Sequence, residues 1–322
     1  MAAAENILLS QMDVVSVIVP LYNNEAYIDS ALNSLLLEKP ERIELLILDD
    51  GSLDDSLSKA KSWLQRNGFC FYKTGIWSRD NKGIAATLNE LVESSSGEYV
   101  TILPADDELL QGGIDARIAA LQSNRQLLCV FGDARVINHS GELQSGSALF
   151  DFPKRHVAAH QWALQNPALL ALELIIRWSV PGPVFLARRK VYSVENGIGL
   201  YDETLAAEDR DYYLRNLANG TIGYVDIKVA NYRVHDSNVS TRTQSSFIIK
   251  ESVLESERKN LTRFAGINRL ALYIAYRYKK SVSSYICSGS VFAKGYYMLQ
   301  AAMARLIMRL FDFIQIIKRN LS

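Results

Sequence analysis

The chain has 322 residues, 48% of them hydrophobic and 22% charged, with a mean hydropathy of -0.01. That composition excludes a disordered chain and leaves room for one large domain, or a domain plus an appendage. Thirty-five Lys and Arg balance 35 Asp and Glu, so no global charge favours nucleic acid as a partner. Cys70, Cys129 and Cys287 are odd in number and far apart, with no zinc or CxxC spacing, and read as reduced thiols of a cytoplasmic protein. Residues 1–13 hold no basic stretch and no apolar run long enough for a signal peptide.

Val14–Pro20 is a β-branched apolar run that reads as a central strand buried on both faces. Asn23–Leu37 follows as a helix with Ile28, Ala31, Leu32, Leu35 and Leu36 on one face. Strands are predicted over 43–48, 69–73, 99–103 and 127–131, and helices over 54–64, 84–92 and 112–121. Such alternation implies a parallel sheet with flanking helices, whose ligands bind beyond the carboxyl ends of the strands. Asp49-Asp50 and Asp106-Asp107 both stand at such ends. After Ser140 the alternation loosens: mixed loop and helix over 150–178, a turn and strand over 181–187, a helix over 208–217 and a strand over 222–229. Beyond Ser240 the pattern is helical and free of proline.

Asp and Asn open turns and cap helices, so each acidic pair alone reads as punctuation. Together they suit a diphosphate. The chain has neither GxGxxG nor GxxxxGK[ST], and a phosphate site without a glycine cradle needs a cation held by one or two carboxylates. Glu208-Asp209 opens a helix, where acids complement the helix dipole. A carboxylate there also suits a general base.

The motifs occur in an order that resembles a family 2 glycosyltransferase of the GT-A fold, of the kind that builds bacterial cell-surface polysaccharide. Val17-Ile18-Val19-Pro20-Leu21-Tyr22-Asn23 is similar to the opening strand, Asp49-Asp50-Gly51-Ser52 to the nucleotide motif, and Asn81, Gly83 and Asn89 to the helix entry. Ala105-Asp106-Asp107 resembles the metal motif, Glu208-Asp209-Arg210-Asp211 the base motif, and Tyr232-Arg233-Val234-His235 with Ser240 the closing motif. The likeness covers about residues 14–240. It departs at Pro104, where many relatives carry a further Asp, although some members have the Asp-Asp pair alone.

The resemblance implies a mixed, mostly parallel α/β sheet with flanking helices over residues 1–240, with a nucleotide-binding half near 14–140 and an acceptor half near 141–240, followed by a helical region over 241–322. It implies transfer, with inversion, from a nucleoside diphosphate sugar, UDP-linked by analogy, to a hydroxyl of a glycan or lipid-linked glycan, aided by Mg²⁺ or Mn²⁺. Pro20, Tyr22, Asn23, Asp50, Asn81 and Asp106 are then donor contacts, Asp50 through the base and Asp106 through the ribose or the metal shell. Asp107 and His235 are metal contacts and Asp209 is the base. Arg79 and Lys82 are basic candidates near the diphosphate without a motif match.

Residues 292–317 are densely apolar, with Arg305, Arg309 and Asp312 forming a narrow polar stripe at helical spacing. This argues against a simple span and leaves two readings for 285–322: packing on protein, or contact with the inner face of the cell membrane. Two rival functions are a nucleotidyltransferase, which usually shows a glycine-rich basic signature absent from Pro20–Asn33, and a non-catalytic sugar-nucleotide-binding scaffold, against which intact Asp107 and Asp209 speak.

Overall fold

Val15–Leu21 forms β1, and every residue of it except Pro20 is buried. Ile43–Asp49 forms β2, buried throughout. Strands without a polar face need neighbours on both edges and helices above and below, and the computed structural model shows that arrangement. It describes residues 13–151, 157–196, 198–236, 243–287 and 296–299. The further strands are β3 (Lys73–Ser78), β4 (Tyr99–Ile102), β5 (Glu108–Leu109), β6 (Cys129–Ile137), β7 (Leu143–Ser145), β8 (Phe185–Arg188) and β9 (Ile222–Arg233). Their order is β3-β2-β1-β4-β8-β6-β9-β5, with β7 paired to β6. β3, β2, β1 and β4 are parallel, and β8 then runs antiparallel to both β4 and β6. The sheet is thus mixed and mostly parallel, as expected.

The chain divides into two compact units that do not follow sequence order. The first comprises Met1–Leu149, Val180–Glu203 and Val225–His235. Its helices are α1 (Ile28–Leu35), α2 (Ser56–Asn67), α3 (Ile84–Ser94) and α4 (Gly113–Ser123). Leu21, Asp49 and Ser78 are in register at one end of β1, β2 and β3, so the segments that follow them leave the sheet together. At the opposite end Gly97 allows the approach to β4: a Cβ there would lie 2.7 Å from the Ser16 amide nitrogen.

The second unit comprises Phe150–Ser179, Thr204–Tyr224 and Asp236–Ser322. Its helices are α5 (Val157–Gln165), α6 (Pro167–Ile176), α7 (Glu208–Ala218), α8 (Thr243–Asn260) and α9 (Gly266–Cys287). Asn166 caps α6 by accepting from the Ala168 amide at 3.0 Å, with Pro167 at the first helical position, where its missing N–H is harmless. Leu169, Leu170, Leu172, Leu174 and Ile175 of α6 are buried, and α6 meets α5, α7 and α9.

Three expectations need correcting. The strand expected over 69–73 lies at Lys73–Ser78, because Gly68–Cys70 tightens into a 3-10 turn that leaves Phe69 85% exposed. The first helix starts at Ile28 rather than Asn23, since Asn23 takes a left-handed φ of 51° and bonds the neighbouring loop. β6 and β9 run on to Ile137 and Arg233, past the expected 131 and 229. The apolar segment 292–317 lies outside the described residues, apart from Tyr296–Leu299, which are helical.

Candidate active site

The loops after β1 and β2 are laced together by hydrogen bonds. Asn23 accepts from the Leu53 amide at 2.8 Å, and its own amide donates to Ser52 Oγ at 2.9 Å. The Asn24 amide donates to Ser56 Oγ at 2.7 Å, and the Glu25 amide to Asp54 at 3.0 Å. Asp50 is buried, and its amide donates to the Leu21 carbonyl at 2.8 Å. One carboxylate oxygen accepts from the Lys82 amide at 2.9 Å and from the Arg79 guanidinium. The other accepts from the Gly83 amide at 2.9 Å. Gly51, at φ 77°, lets the 79–81 segment pass, since a Cβ would stand 3.1 Å from the Asn81 amide nitrogen. Arg79 also donates to Glu90 at 2.9 Å and Thr87 at 3.1 Å. Its guanidinium is thereby committed to Asp50, Glu90 and Thr87, while Lys82 is exposed. Tyr22, Asn23 and Asn81 are exposed and Pro20 is half-buried, so these four gather around Asp50 on one edge, while Asp106 lies on a separate segment.

The second acidic pair is held by the end of β9. The Asp107 carboxylate is buried and accepts from the Arg233 amide at 2.7 Å. Arg233 is itself buried, and its side chain donates to the Asp106 carbonyl at 2.8 Å, to Glu108 at 2.6 Å and to the Asn138 carbonyl at 3.1 Å. It also lies over the Tyr27 ring, 5.2 Å from the centroid. His235, two residues on, places Nε2 3.1 Å from the Asp106 carboxylate and stacks on Tyr27 at 4.5 Å. Burial and the neighbouring Asp106 charge push the Asp107 carboxyl well above the usual carboxylate range, and Arg233 only partly offsets this.

Two carboxylates and an imidazole on adjoining segments fit a divalent cation that takes its remaining ligands from phosphate oxygens. A carboxyl held high by burial and a neighbouring like charge is the one such a cation would relieve. Among the described residues no group of three such side chains is arranged to hold a metal ion by itself.

In the second unit Asp209 sits in the first turn of α7 and accepts from the Arg210 amide at 2.6 Å. Burial and the Asp209 charge push Glu208 up to about 8, and burial also raises Asp209. Arg210 is fully buried and donates to the carbonyls of Leu174 at 2.8 Å and Ile175 at 3.1 Å, at the end of α6, and to Glu257 of α8 at 2.8 Å. Lys279 of α9 bonds the same Glu257 oxygen. Ser252 accepts from the Ala207 amide at 2.8 Å, and Asn260 donates to Asp211 at 2.7 Å. One face of α8 therefore clamps the helix that carries Asp209.

Several of these residues were missed by sequence reasoning. Arg79, Arg233 and the α8 clamp of Ser252, Glu257 and Asn260 had no role assigned beyond the weak suggestion for Arg79. The signal that could have found Arg233 was its place inside the Tyr-Arg-Val-His segment. Asn89 binds both the amide and the carbonyl of Tyr201, at 2.8 and 3.0 Å, so its motif position serves packing. Of the other histidines, His139 is exposed, His160 pairs with Glu173 at 2.8 Å, and His156 lies outside the described residues.

Residues 16–193 match the family model "Glycosyl transferase family 2". A chondroitin synthase of Escherichia coli is 26% identical over 266 residues, 82% of this chain but only 35% of that protein, so the chain spans about a third of this relative. A putative glycosyltransferase, EpsH, of Bacillus subtilis is 22% identical over 78% of this chain and 73% of its own. Among solved structures, S. aureus TarS 1-349 in complex with UDP-GlcNAc superposes with a TM-score of 0.59 at 17% identity, over 90% of this chain and 79% of that one. The mannosyltransferase PcManGT from Pyrobaculum calidifontis, in complex with GDP-Man and Mn²⁺, also gives 0.59 at 17% identity, over 98% and 90%. These likenesses establish the GT-A fold.

Proposed function

This chain belongs to glycosyl transferase family 2, and from that membership we propose an inverting, metal-assisted transfer of a sugar from a nucleoside diphosphate sugar, UDP-linked, to a hydroxyl of a glycan or lipid-linked glycan. The observation that carries the reading is the Asp106–Asp107 pair with His235, brought together at the strand edge by Arg233.

Asp50 serves the base. A carboxylate offers about four acceptor positions, and Lys82, Gly83 and Arg79 take three. The carboxylate is therefore fixed in orientation with room for one ring N–H. Pro20, Tyr22, Asn23 and Asn81 border the nucleotide, and Asp106 takes the ribose or the metal shell. Asp107 and His235 would hold Mg²⁺ or Mn²⁺, which would offset charge on the departing diphosphate. Asp209 takes the proton of the acceptor hydroxyl while that oxygen bonds to the anomeric carbon and the bond to the diphosphate breaks. Its raised pKa suits a base, because the proton it accepts is then held more tightly near neutral pH.

Residues 1–240 form the catalytic domain in this reading, with the acceptor served from 141–240. After residue 240 comes α8, which fixes the base helix. No helix among the described residues is long and apolar enough to cross a membrane. The acceptor class favours work at the inner membrane face, with 285–322 in contact with lipid.

A panel of sugar nucleotides with and without Mg²⁺ or Mn²⁺ tests the proposal. Metal-dependent release of nucleoside diphosphate, and an inverted anomer in the product, are expected. Release of pyrophosphate from a nucleoside triphosphate and a sugar phosphate would identify a nucleotidyltransferase instead. Binding without turnover across the panel would leave only a scaffold.

A further inference from the structure

The balance of charge in the whole chain hides a segregation. Residues 261–322 hold ten of the 35 Lys and Arg and one of the 35 Asp and Glu, Asp312; residues 1–260 hold the other 25 and 34. A net charge of about nine on the last fifth of a neutral chain is the footprint of an anionic surface.

The structure shows how α9 presents this charge. Its inner face, with Ala271, Leu272, Ile274, Ala275 and Ser281 buried, packs on α6 and α8. Its outer face leaves Ile267 51%, Leu270 50% and Tyr273 44% exposed. Leu270, Tyr273 and Arg277 follow one another at helical spacing, and Arg269 and Lys280 flank them. Arg263 stands exposed just before the helix. The sequence of α9 contains no acidic residue. Two basic heads rest on tyrosines: Arg277 donates to the Tyr273 hydroxyl at 3.2 Å, and Lys280 lies 5.6 Å from the Tyr276 ring centroid. The acids in the groove between α8 and α9 are engaged, Glu251 by Ser283 and Glu255 by Arg258.

We propose that the outer face of α9 docks on an anionic lipid surface, with Ile267, Leu270 and Tyr273 entering the interface and Arg263, Arg269, Arg277 and Lys280 meeting lipid phosphates. Leucine and isoleucine supply buried apolar area, tyrosine an apolar body with a wet tip, and long basic side chains reach the headgroups from below. An acidic protein groove would satisfy the charge but would leave the apolar residues unmatched. A second copy of the helix would match the apolar residues but would oppose like charges. A lipid interface satisfies both. The inference is independent of sugar transfer, since neither donor nor acceptor enters it.

Co-sedimentation of the full chain with phosphatidylcholine vesicles, with and without phosphatidylglycerol, tests it. The chain should partition onto the anionic vesicles and leave them at high salt. Arg269→Gln with Arg277→Gln should lower the partition by about 25-fold, at about fivefold per basic residue. Leu270→Ser with Tyr273→Ser should lower it too, and both pairs of exposed changes should leave the melting temperature and elution volume unchanged. The proposal fails if the wild type ignores phosphatidylglycerol, or if both double variants bind like the wild type. It also fails if Leu270→Ser with Tyr273→Ser splits a dimer while vesicle partition stays constant, which would make the face a contact between copies.

Discussion

Replacing Glu257 by Gln keeps the shape of a fully buried side chain and removes its charge. In the protein that carboxylate is the counter-ion of Arg210, itself without solvent exposure, and of Lys279. Breaking a buried pair by removing one partner costs about 3–5 kcal/mol, because the remaining charge is stranded. Here the lower end applies. Arg210 keeps its bonds to the Leu174 and Ile175 carbonyls, and Lys279, with 36% of its side chain exposed, can turn to water. A loss of about 3 kcal/mol should lower the melting temperature by roughly 6–12 °C, at about 2–4 °C per kcal/mol for a chain of this order of size. Because Arg210 follows Asp209 in the first turn of α7, the variant should also lose kcat while donor affinity holds. Denaturant unfolding followed by circular dichroism gives the stability, and initial rates give the kinetics. Triple replacement of Arg210, Glu257 and Lys279 by Met, Leu and Met should recover stability, since no charge is then stranded. A Glu257→Gln protein within about 1 kcal/mol of wild type, or a triple variant no better than the single, would refute the view that this network clamps α7.

Asp209→Asn should lower kcat by about 10²–10⁴-fold with little change in donor KM, while Glu208→Gln stays mild; the reverse pattern would move the base to Glu208. Asp107→Asn should abolish the response to Mg²⁺ and Mn²⁺ in a titration of turnover, and a wild-type metal response would remove Asp107 from the metal site. Asp50→Ala should weaken nucleotide binding measured by calorimetry, since both the base contact and the bonds to the 82–83 amides are lost; unchanged affinity would reject that role. Glu44 is buried, a factor that alone would raise its pKa, yet Lys73, Ser16 and Ser96 hold it down at about 2. Its folded value lies below its ordinary 4.5, so its stabilisation of roughly 3 kcal/mol is present above pH 4.5 and lost as pH falls towards 2. A Glu44→Gln protein should therefore show a flatter acid unfolding curve than wild type, and parallel curves would deny the shift.

How far the sequence carried the fold depended on where each segment is buried. β1 and β2 were legible because both faces are covered, and an unbroken apolar run marks such a strand. β3 was not: it is an edge strand whose residues are at most half-buried, and exposed Phe69 drew the expectation upstream. The acids of the site were legible as motifs, but their partners were not. Arg233 lies 126 positions from Asp107, and Glu257 lies 47 from Arg210; no local period records such pairs. The segregation of charge could have been read from the letters alone and was concealed only by summing over the whole chain.

Burial by itself does not say what an acid is for: Glu44 and Asp107 are buried and Glu208 is half-buried, and their pKa values part company. Glu44 receives the hydroxyls of Ser16 and Ser96, the Ser96 amide and the Lys73 ammonium, and its charge is secure. Asp107 receives the Arg233 amide against the charge of Asp106 beside it, and is driven up. Glu208 faces Asp209 and is driven to about 8. The difference lies in the donors. An acid given a full set of donors by its own fold has a structural task that is complete without a ligand. An acid left short of donors raises the energy of its own charged state, and that deficit is removed only by something arriving from outside, a cation at Asp107 or a proton at the Glu208–Asp209 pair. On this reasoning an added cation should raise the melting temperature of the wild type and not of Asp107→Asn, whereas Glu44→Gln should keep the full metal response. A cation that stabilises wild type and Asp107→Asn alike would break the link between donor deficit and function.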